Sequence, residues 1–231
     1  RVLAMASYPS YDPTIWQKGL TVKQAEDLFS EAKGVPALSR PLQGLFAPAS
    51  TFKSVSVLAA ANAGYNLNAT YNCPATVEIG TRTFNNFESK AAGRLPLDLG
   101  LAISCDSLWY QISYDEWVRD GGLRPKSNAN DHFFNAAKAF GIGKTTGIDL
   151  PSELSGRLAN REWKQNWYDQ NKDFYCNYKQ RAKKSDLTPY LIEIARENCL
   201  DGNKVRAGDA VNFSIGQGDT LVTPLRLAEI Y

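Results

Sequence analysis

Two residues that could perform covalent chemistry, Ser50 and Lys53, stand at the start of an apolar, alanine-rich stretch. On a helix, residues i and i+3 lie on one face, with their Cβ atoms about 5–6 Å apart. A neutral lysine at that distance can accept the serine hydroxyl proton, and a helix N-terminus favours the negative charge that develops. Such a pair needs no histidine, and the chain has only one, His132. The spacing therefore predicts acyl transfer with Ser50 as nucleophile and Lys53 as base.

A second candidate group, Ser104-Cys105-Asp106, follows the apolar run at residues 97–103. A serine two residues before an aspartate is common in proteins, so the triplet says little alone. It gains meaning from the other motifs that accompany it along the chain.

Several elements are expected to position these residues. The best helix pattern covers residues 50–63 and stops at Gly64. The Thr/Val alternation within residues 70–95 predicts short strands. Further elements are predicted as a strand at 2–6, a helix at 21–33 with Thr21 as N-cap and Gln24 at N3, helices at 97–109, 136–140 and 188–197, and a strand at 210–215. Residues 161–184, which are polar, charged and aromatic, form either a mobile loop or a surface helix.

Composition limits the function. The chain has 231 residues, 43% of them hydrophobic and 22% charged, which is typical of a globular protein. A net charge of +2 is too small to indicate a nucleic-acid partner. No apolar run reaches the roughly 18–20 residues of a membrane span.

The domain organisation is expected to be simple. One domain over residues 1–231, with a peripheral insertion at about 158–205, fits better than two domains. The start at Arg1 and the uncapped helical pattern at the end predict an internal piece of a longer protein.

The four cysteines allow three complete pairings, and four free thiols are equally open. Cys176 and Cys199 flank one polar segment, so a bridge between them is the favoured disulfide. No C-x-x-C pair occurs and there is a single histidine, so neither a metal nor a cofactor is expected.

Taken in order, six phrases resemble the transpeptidase domain of class B penicillin-binding proteins, most closely the subgroup that acts in cell elongation. The phrases lie at residues 2–13, 39–53, 102–107, 147–153, 214–218 and 223–225. The resemblance spans nearly the whole chain except about 158–205. It implies an α/β (α+β) fold of the penicillin-binding protein and serine β-lactamase type, with a central antiparallel sheet flanked by helices and a helical lobe beside it.

The chain departs from the family pattern at three points. The third motif, Lys-(Ser/Thr)-Gly, is expected after Gly216-Gln217-Gly218, but the chain stops first, so the C-terminal strands are missing and the site is expected to be incomplete. The run at residues 144–147 occurs too early to be that motif. Asp106 replaces the usual asparagine and can only accept hydrogen bonds when ionised. Ala49 stands where glycine is commoner.

The resemblance implies a peptidoglycan D,D-transpeptidase. Ser50 would attack the penultimate D-alanine of a stem peptide, Lys53 would act as base, and Ser104 would relay a proton. Asp106 would bind substrate through a donor on the ligand, or pair with Lys53, in which case it would raise the lysine pKa and oppose the base role. The implied partners are stem peptides from a lipid-linked precursor, β-lactams that trap Ser50, and a membrane glycosyltransferase, but no nucleic acid. The implied location is outside the cytoplasmic membrane, on an upstream anchor.

Two alternatives remain open. Class D β-lactamases share the phrase Pro-Ala-Ser-Thr-Phe-Lys, with a carboxylated lysine, but they lack the phrases at residues 147–151 and 216–218. A non-catalytic relative, either a β-lactam sensor or a scaffold for wall-synthesis partners, would also fit Asp106.

Three other features have simpler expected roles. His132 is expected to be solvent-facing or structural, and residues 216–218 are expected to shape a turn near the site. The aromatic stretch at 161–184 either contacts glycan, lipid or a partner protein, or packs as an insertion on its own domain.

Overall fold

The alanine-rich stretch after Ser50 forms a buried central helix. The structure is a computed structural model that describes residues 2–17 and 19–231. Ala59 and Ala60 are fully buried, because alanine lets neighbouring helices approach closely, and Phe52 and Val55 extend the same apolar face into the core. The segment begins as a 3₁₀ turn over Ala49–Phe52 and continues as an α-helix. The prediction of a helix over residues 50–63 is therefore confirmed.

Helices are the commonest regular element of the described structure. The α-helices are α1 Val22–Phe29, α2 Arg40–Gln43, α3 Lys53–Asn62, α4 Leu97–Ala102, α5 Asp106–Arg119, α6 His132–Ala139, α7 Arg161–Cys176, α8 Tyr178–Arg181, α9 Pro189–Asp201, α10 Ala207–Ser214 and α11 Pro224–Ile230. The 3₁₀ turns are Pro13–Trp16, Glu31–Lys33, Ala49–Phe52, Phe87–Ser89 and Lys184–Asp186. The strands are β1 Thr70–Cys73, β2 Thr76–Ile79, β3 Arg82–Asn85 and β4 Gly93–Pro96.

The strands form two small antiparallel sheets. Strand β1 pairs with β4, with Cys73 opposite Gly93, and β2 pairs with β3 as a hairpin, with Thr76 opposite Asn85. Alternate side chains of β2, Val77 and Ile79, point into the core. Helix α5 contacts β1, β2 and β3, so both sheets pack against the same helix. The prediction of short strands within residues 70–95 is confirmed, and so is the mixed α and β class.

The expected strand at residues 2–6 and the central antiparallel sheet are not formed in the described part of the chain. Residues 2–6 are extended, exposed and outside any sheet. A strand is stable only when its N–H and C=O groups pair with a neighbour, and among residues 2–17 and 19–231 no strand pairs with this segment. The local β propensity of these residues is therefore not sufficient to give a strand here.

The predicted strand at residues 210–215 is wrong, because this segment forms helix α10. The carboxylate of Asp209 accepts a hydrogen bond from the N–H of Arg206 at 2.9 Å, which begins the helix. The apolar side chains Val211 and Phe213 are buried where α10 packs against α5. A short apolar run fits a buried strand and a buried helix equally well, and packing decides between them.

The predicted helix at residues 97–109 is interrupted. Helix α4 ends at Ala102 and α5 begins at Asp106. Between them Ser104 has φ +59°, in the left-handed region that L-residues rarely adopt. The break separates two helix axes and places the Ser104-Cys105-Asp106 triplet at the start of α5.

The remaining predicted helices are found with shifted ends. Helix α1 has the expected capping box between Thr21 and Gln24, and stops earlier than predicted, before a 3₁₀ turn. The helix expected at 136–140 is part of α6, and the one at 188–197 is α9. Residues 161–184 contain α7 and α8, so the surface-helix alternative is correct.

Two disulfides connect the helices and strands. Cys176 and Cys199 join α7 to α9, which confirms the favoured pairing, and the hydroxyl of Tyr168 adds a hydrogen bond to the Cys199 carbonyl at 2.8 Å. The second bridge, between Cys73 and Cys105, was not predicted. Throughout residues 2–17 and 19–231, no helix has both the length and the apolarity needed to cross a membrane.

Candidate active site

Ser50 lies exposed in the 3₁₀ turn that leads into α3, and a close contact with the Gly216-Gln217-Gly218 turn fixes its position. The N–H of Ala49 donates to the carbonyl of Gly216 at 2.8 Å. A Cβ atom at Gly216 would collide with the carbonyl oxygen of Ala49 and would lie 2.5 Å from the Cβ of Phe52, so only glycine fits. The expectation that this phrase shapes a turn beside Ser50 is confirmed.

Ala49 itself adopts φ +51°, again in the left-handed region. Glycine enters this region without steric cost, which gives a physical reason for its frequency at this position in the family. Alanine holds the same conformation here because its N–H is bonded to Gly216.

Lys53, the first residue of α3, is wholly buried at 0% exposure and points its amine at the second motif. The amine donates to the hydroxyl of Ser104 at 2.8 Å and to the carbonyl of the same residue at 2.9 Å. It also forms an ion pair with the carboxylate of Asp106. An ammonium group has three donors, so all three are satisfied by these acceptors.

The pKa of Lys53 results from two opposing effects. Burial disfavours the charged amine and lowers its pKa, whereas the hydrogen bond and the charge of Asp106 raise it. Burial is the larger effect, so the pKa of Lys53 lies below its ordinary value of 10.5. The sequence predicted the influence of Asp106, and the structure shows that burial outweighs it.

Ser104 connects the two residues of the first motif. Its hydroxyl lies 2.9 Å from the hydroxyl of Ser50 and 2.8 Å from the amine of Lys53. Hydroxyl hydrogens can rotate between neighbouring acceptors. When Lys53 is charged, its amine donates to Ser104; when it is neutral, the Ser104 hydroxyl can donate to the amine and accept from Ser50. The relay role that the resemblance implied for Ser104 requires a hydroxyl in this position.

Asp106 occupies the first turn of α5, where the helix dipole favours a negative charge. Its N–H donates to the side-chain oxygen of Asn86 at 2.9 Å, and its carboxylate pairs with Lys53. The side chain remains 19% exposed. Of the two roles considered from the sequence, the contact with Lys53 is the one present in the structure. All four predicted site residues therefore lie together.

Sequence reasoning missed two features beside the site. Asn86, which is almost fully buried, binds the start of α5 and also donates to the carbonyl of Lys90 at 2.7 Å. The Cys73–Cys105 bridge ties the middle residue of the second motif to the end of β1. The presence of a cysteine inside the motif was the only sequence signal for this bridge, and it did not indicate a partner.

The other candidates lie apart from this cluster. The Nδ1 atom of His132 is 2.8 Å from a carboxylate oxygen of the buried Glu116, which confirms the structural expectation. In the early run at 144–147, the carbonyl of Lys144 accepts a hydrogen bond from Arg226 and the N–H of Thr146 donates to Glu153. Among the residues that the structure describes, no group of three or more His, Cys, Asp or Glu side chains is arranged to hold a metal ion.

An exposed serine is thus hydrogen-bonded through a second serine to a buried lysine, and a nucleophile beside a base is what covalent acyl transfer requires. The family model described as "Penicillin binding protein transpeptidase domain" matches residues 1–231. The chain belongs to this family, as the sequence motifs indicated.

Among curated proteins, the chain is 32% identical over 231 residues to the peptidoglycan D,D-transpeptidase MrdA of Escherichia coli strain K12. This match covers 99% of the chain but only 29% of MrdA. The chain thus spans under a third of the length of this relative.

Solved structures share the fold. The complex between penicillin-binding protein PBP2 and MreC from Helicobacter pylori matches with a TM-score of 0.72 and 22% identity, covering 97% of this chain and 34% of that one. A structure described as "Structural coordination of polymerization and crosslinking by a peptidoglycan synthase complex" matches with a TM-score of 0.66 and 26% identity, covering 99% of this chain and 31% of that one.

Proposed function

We propose that the protein is a peptidoglycan D,D-transpeptidase that works through an acyl-enzyme on Ser50. The observation that carries this proposal is the hydrogen-bonded chain from the Ser50 hydroxyl through Ser104 to the buried amine of Lys53. Membership of the penicillin-binding transpeptidase family and the similarity to MrdA support the choice of substrate.

In the acylation step, neutral Lys53 takes a proton from Ser104 as Ser104 takes the proton of Ser50. The Ser50 oxygen then attacks the carbonyl carbon of the penultimate D-alanine. The negative charge that develops on the carbonyl oxygen is stabilised in part by the backbone N–H of Ser50. When the peptide bond breaks, Lys53 gives the proton through Ser104 to the amine of the leaving D-alanine. An ester between Ser50 and the stem peptide remains.

In the second step, an amine from a neighbouring stem peptide attacks this ester. Its proton passes through Ser104 to Lys53, and as the ester bond breaks Lys53 returns a proton through Ser104 to the Ser50 oxygen, which restores the hydroxyl as the cross-link forms. A β-lactam carbonyl reacts with Ser50 in the same way, but its ring-opened product does not leave, so the drug remains bound to the serine.

Asp106 has a supporting role in this scheme. Its carboxylate holds the amine of Lys53 against Ser104, and it stabilises the ammonium that forms during each proton transfer. Burial lowers the pKa of Lys53 and outweighs the opposing effect of this carboxylate. We propose substrate contact as a second role, through the part of the side chain that remains exposed.

The class D β-lactamase reading is less well supported by the geometry. That mechanism requires a carboxyl group attached to the lysine nitrogen. Here the Lys53 nitrogen already faces three oxygens, from Ser104 and Asp106, at hydrogen-bond distance and inside a buried site. A carbamate would have to displace the Asp106 carboxylate, because two negative groups would then share one site.

The proposed location is the outer side of the cytoplasmic membrane. Two disulfides, Cys73–Cys105 and Cys176–Cys199, are typical of an oxidising compartment. Lipid-linked precursors would supply the stem peptides, and we propose a membrane glycosyltransferase as partner because a relative is described in a complex for polymerization and crosslinking.

We assign residues 1–231 to one partial transpeptidase domain, with the insertion at about 158–205 formed by α7, α8 and α9.

A direct test uses the full-length protein with a lipid-linked pentapeptide precursor and a purified glycosyltransferase. We expect release of free D-alanine together with cross-linked muropeptides, and neither product from the Ser50→Ala variant. D-alanine release without cross-links would indicate a carboxypeptidase instead. No D-alanine release, with glycan polymerised normally, would contradict the proposal and favour a non-catalytic relative.

A further inference from the structure

The Cys73–Cys105 disulfide lies within the second motif of the site. Cys105 stands between Ser104 and Asp106, and both neighbours contact the amine of Lys53. The bridge connects this triplet to Cys73, the last residue of β1. Both cysteines are buried, with exposures of 0% and 1%. The covalent link therefore joins the residues that face Lys53 to the end of β1, in the sheet formed by β1 and β4.

Further contacts converge on the same junction. The side chain of Asn86 accepts from the N–H of Asp106 at 2.9 Å and donates to the sulfur of Cys73 at 3.5 Å. The hydroxyl of Ser107 donates to the carbonyl of Pro74, directly after Cys73, at 2.7 Å. The start of α5 is thus attached to the segment around Cys73 on several sides.

Ser104 needs such support because its backbone is strained. Its φ of +59° is rarely adopted by residues other than glycine. A strained conformation persists only where the surrounding structure determines it fully. Cys105, the next residue, is both cross-linked to Cys73 and the N-cap of α5, where its sulfur accepts from the N–H of Leu108 at 3.4 Å.

We propose that the Cys73–Cys105 disulfide positions Ser104 and Asp106 against Lys53, so that the acylation rate of Ser50 depends on the oxidised bridge. This inference rests on the proposed function, because acylation is the step it modifies. Cys73 and Cys105 are positioning residues, since neither contacts the reacting atoms. The other bridge, Cys176–Cys199, joins two helices of the insertion and has no contact with Ser50, Lys53, Ser104 or Asp106 in the described structure, so it serves as a matched control.

The bridge can be opened reversibly with dithiothreitol. Two electrons and two protons pass from the dithiol to the disulfide, which gives two cysteine thiols, and the reagent closes to its cyclic disulfide. Genetically, Cys73→Ala with Cys105→Ser removes the bridge and keeps a side chain that caps α5, because serine is a favourable N-cap residue. The control variant carries Cys176→Ala and Cys199→Ala.

The experiment measures the rate of acylation of full-length protein by a fluorescent penicillin under pseudo-first-order conditions, at several pH values. For the Cys73→Ala/Cys105→Ser variant we expect a fall of about 10–100-fold, the size of effect that a displacement of about 1 Å in a catalytic group produces. The pH at which the rate reaches half its maximum should shift as well, because Lys53 loses its fixed contact with Asp106. The control variant should keep both the rate and the pH profile. Reduction of the unaltered protein should slow acylation, and reoxidation should restore it.

Hydrogen exchange on the same samples tests the positioning without relying on activity. Reduction should increase exchange at the amides of residues 104–108, while residues of α3 stay protected. Equal rates and equal exchange with the bridge open and closed would overturn the inference. If the oxidised, unaltered protein is not acylated at all, the proposed function fails, and the exchange result alone decides whether the bridge holds the motif. A variant that does not fold is replaced by the reduced and reoxidised unaltered protein, which needs no substitution.

Discussion

The side-chain amine of Lys53 donates to both oxygens of Ser104, to the hydroxyl at 2.8 Å and to the carbonyl at 2.9 Å. The carbonyl contact fixes the backbone of Ser104, while the hydroxyl contact continues to Ser50 at 2.9 Å. Ser104, rather than Lys53, is therefore the direct hydrogen-bond neighbour of Ser50. This relationship leads to specific expectations for the residues around it.

Removing the Ser104 hydroxyl should slow acylation by about 10²–10⁴-fold, the usual contribution of a positioned proton-transfer group. Ser104→Ala tests the hydroxyl, and Ser104→Gly is its partner variant, because glycine accepts the φ of +59° without strain. Rates of labelling with a fluorescent penicillin should fall equally in both variants. If Ser104→Gly retained the full rate, the backbone rather than the hydroxyl would be what matters.

Replacing Asp106 by asparagine should preserve acylation and shift its pH dependence. The carboxylate raises the pKa of Lys53, against the larger lowering by burial. Without the carboxylate the pKa falls further, so the neutral base is present at lower pH and the rising limb of the rate moves toward acid.

The matched control for this change is Asp98→Asn, since Asp98 lies exposed in the first turn of α4. The pH profile of the acylation rate of Asp98→Asn should coincide with that of the unaltered protein. Complete loss of acylation in Asp106→Asn, or a limb displaced toward alkaline pH, would refute this view of the ion pair.

Gly216→Ala should destabilise the protein and disorder the turn that carries Ser50. Gly218→Ala is the control, because Gly218 has a similar positive φ of +85° but its added Cβ would come no closer than 3.8 Å to Asn212. The positive φ costs about 1–2 kcal/mol at either position. The collision at Gly216 adds about 1–3 kcal/mol. Urea unfolding should show that the free energy of unfolding of Gly216→Ala is lower than that of Gly218→Ala by this amount. Unfolding curves with equal midpoints and equal slopes for the two variants would contradict the close approach of Gly216 to Ala49.

Replacing Cys176 and Cys199 with alanine should lower the free energy of unfolding by about 3 kcal/mol, the value expected for closing a loop of this length. The two residues are separated by 23 positions in the sequence. Because the bridge joins α7 to α9 and not to the site, folded protein should react with penicillin at its normal rate. Chemical denaturation measures the first effect, and a slow reaction in a fully folded sample would show that the insertion supports the site.

Local signals in the sequence were sufficient for most helices and for placing Ser50 and Lys53 at the start of one of them. The capping residues Thr21 and Gln24, the alanine-rich run of α3 and the Ser50–Lys53 spacing all act between near neighbours, so they can be recognised without the fold. The small sheets were also predictable from alternation in β2, where Val77 and Ile79 face the core.

The features that were missed depend on distant contacts. The apolar run at residues 210–215 becomes a helix because it packs on α5. Residues 2–6 lack a pairing strand within the described ranges. The Cys73–Cys105 bridge and the buried Asn86 connect segments that are far apart in sequence, and no local pattern records such a connection.

The most direct test of the central claim is an intact-mass time course of the full-length protein with benzylpenicillin, beside its Ser50→Ala variant. We predict a lasting adduct of one drug mass on the unaltered protein and none on the variant. Drug consumption without a lasting adduct would indicate a β-lactamase. An equal adduct on both proteins, or an untouched drug, would contradict the assignment of Ser50 as the nucleophile of a penicillin-binding transpeptidase.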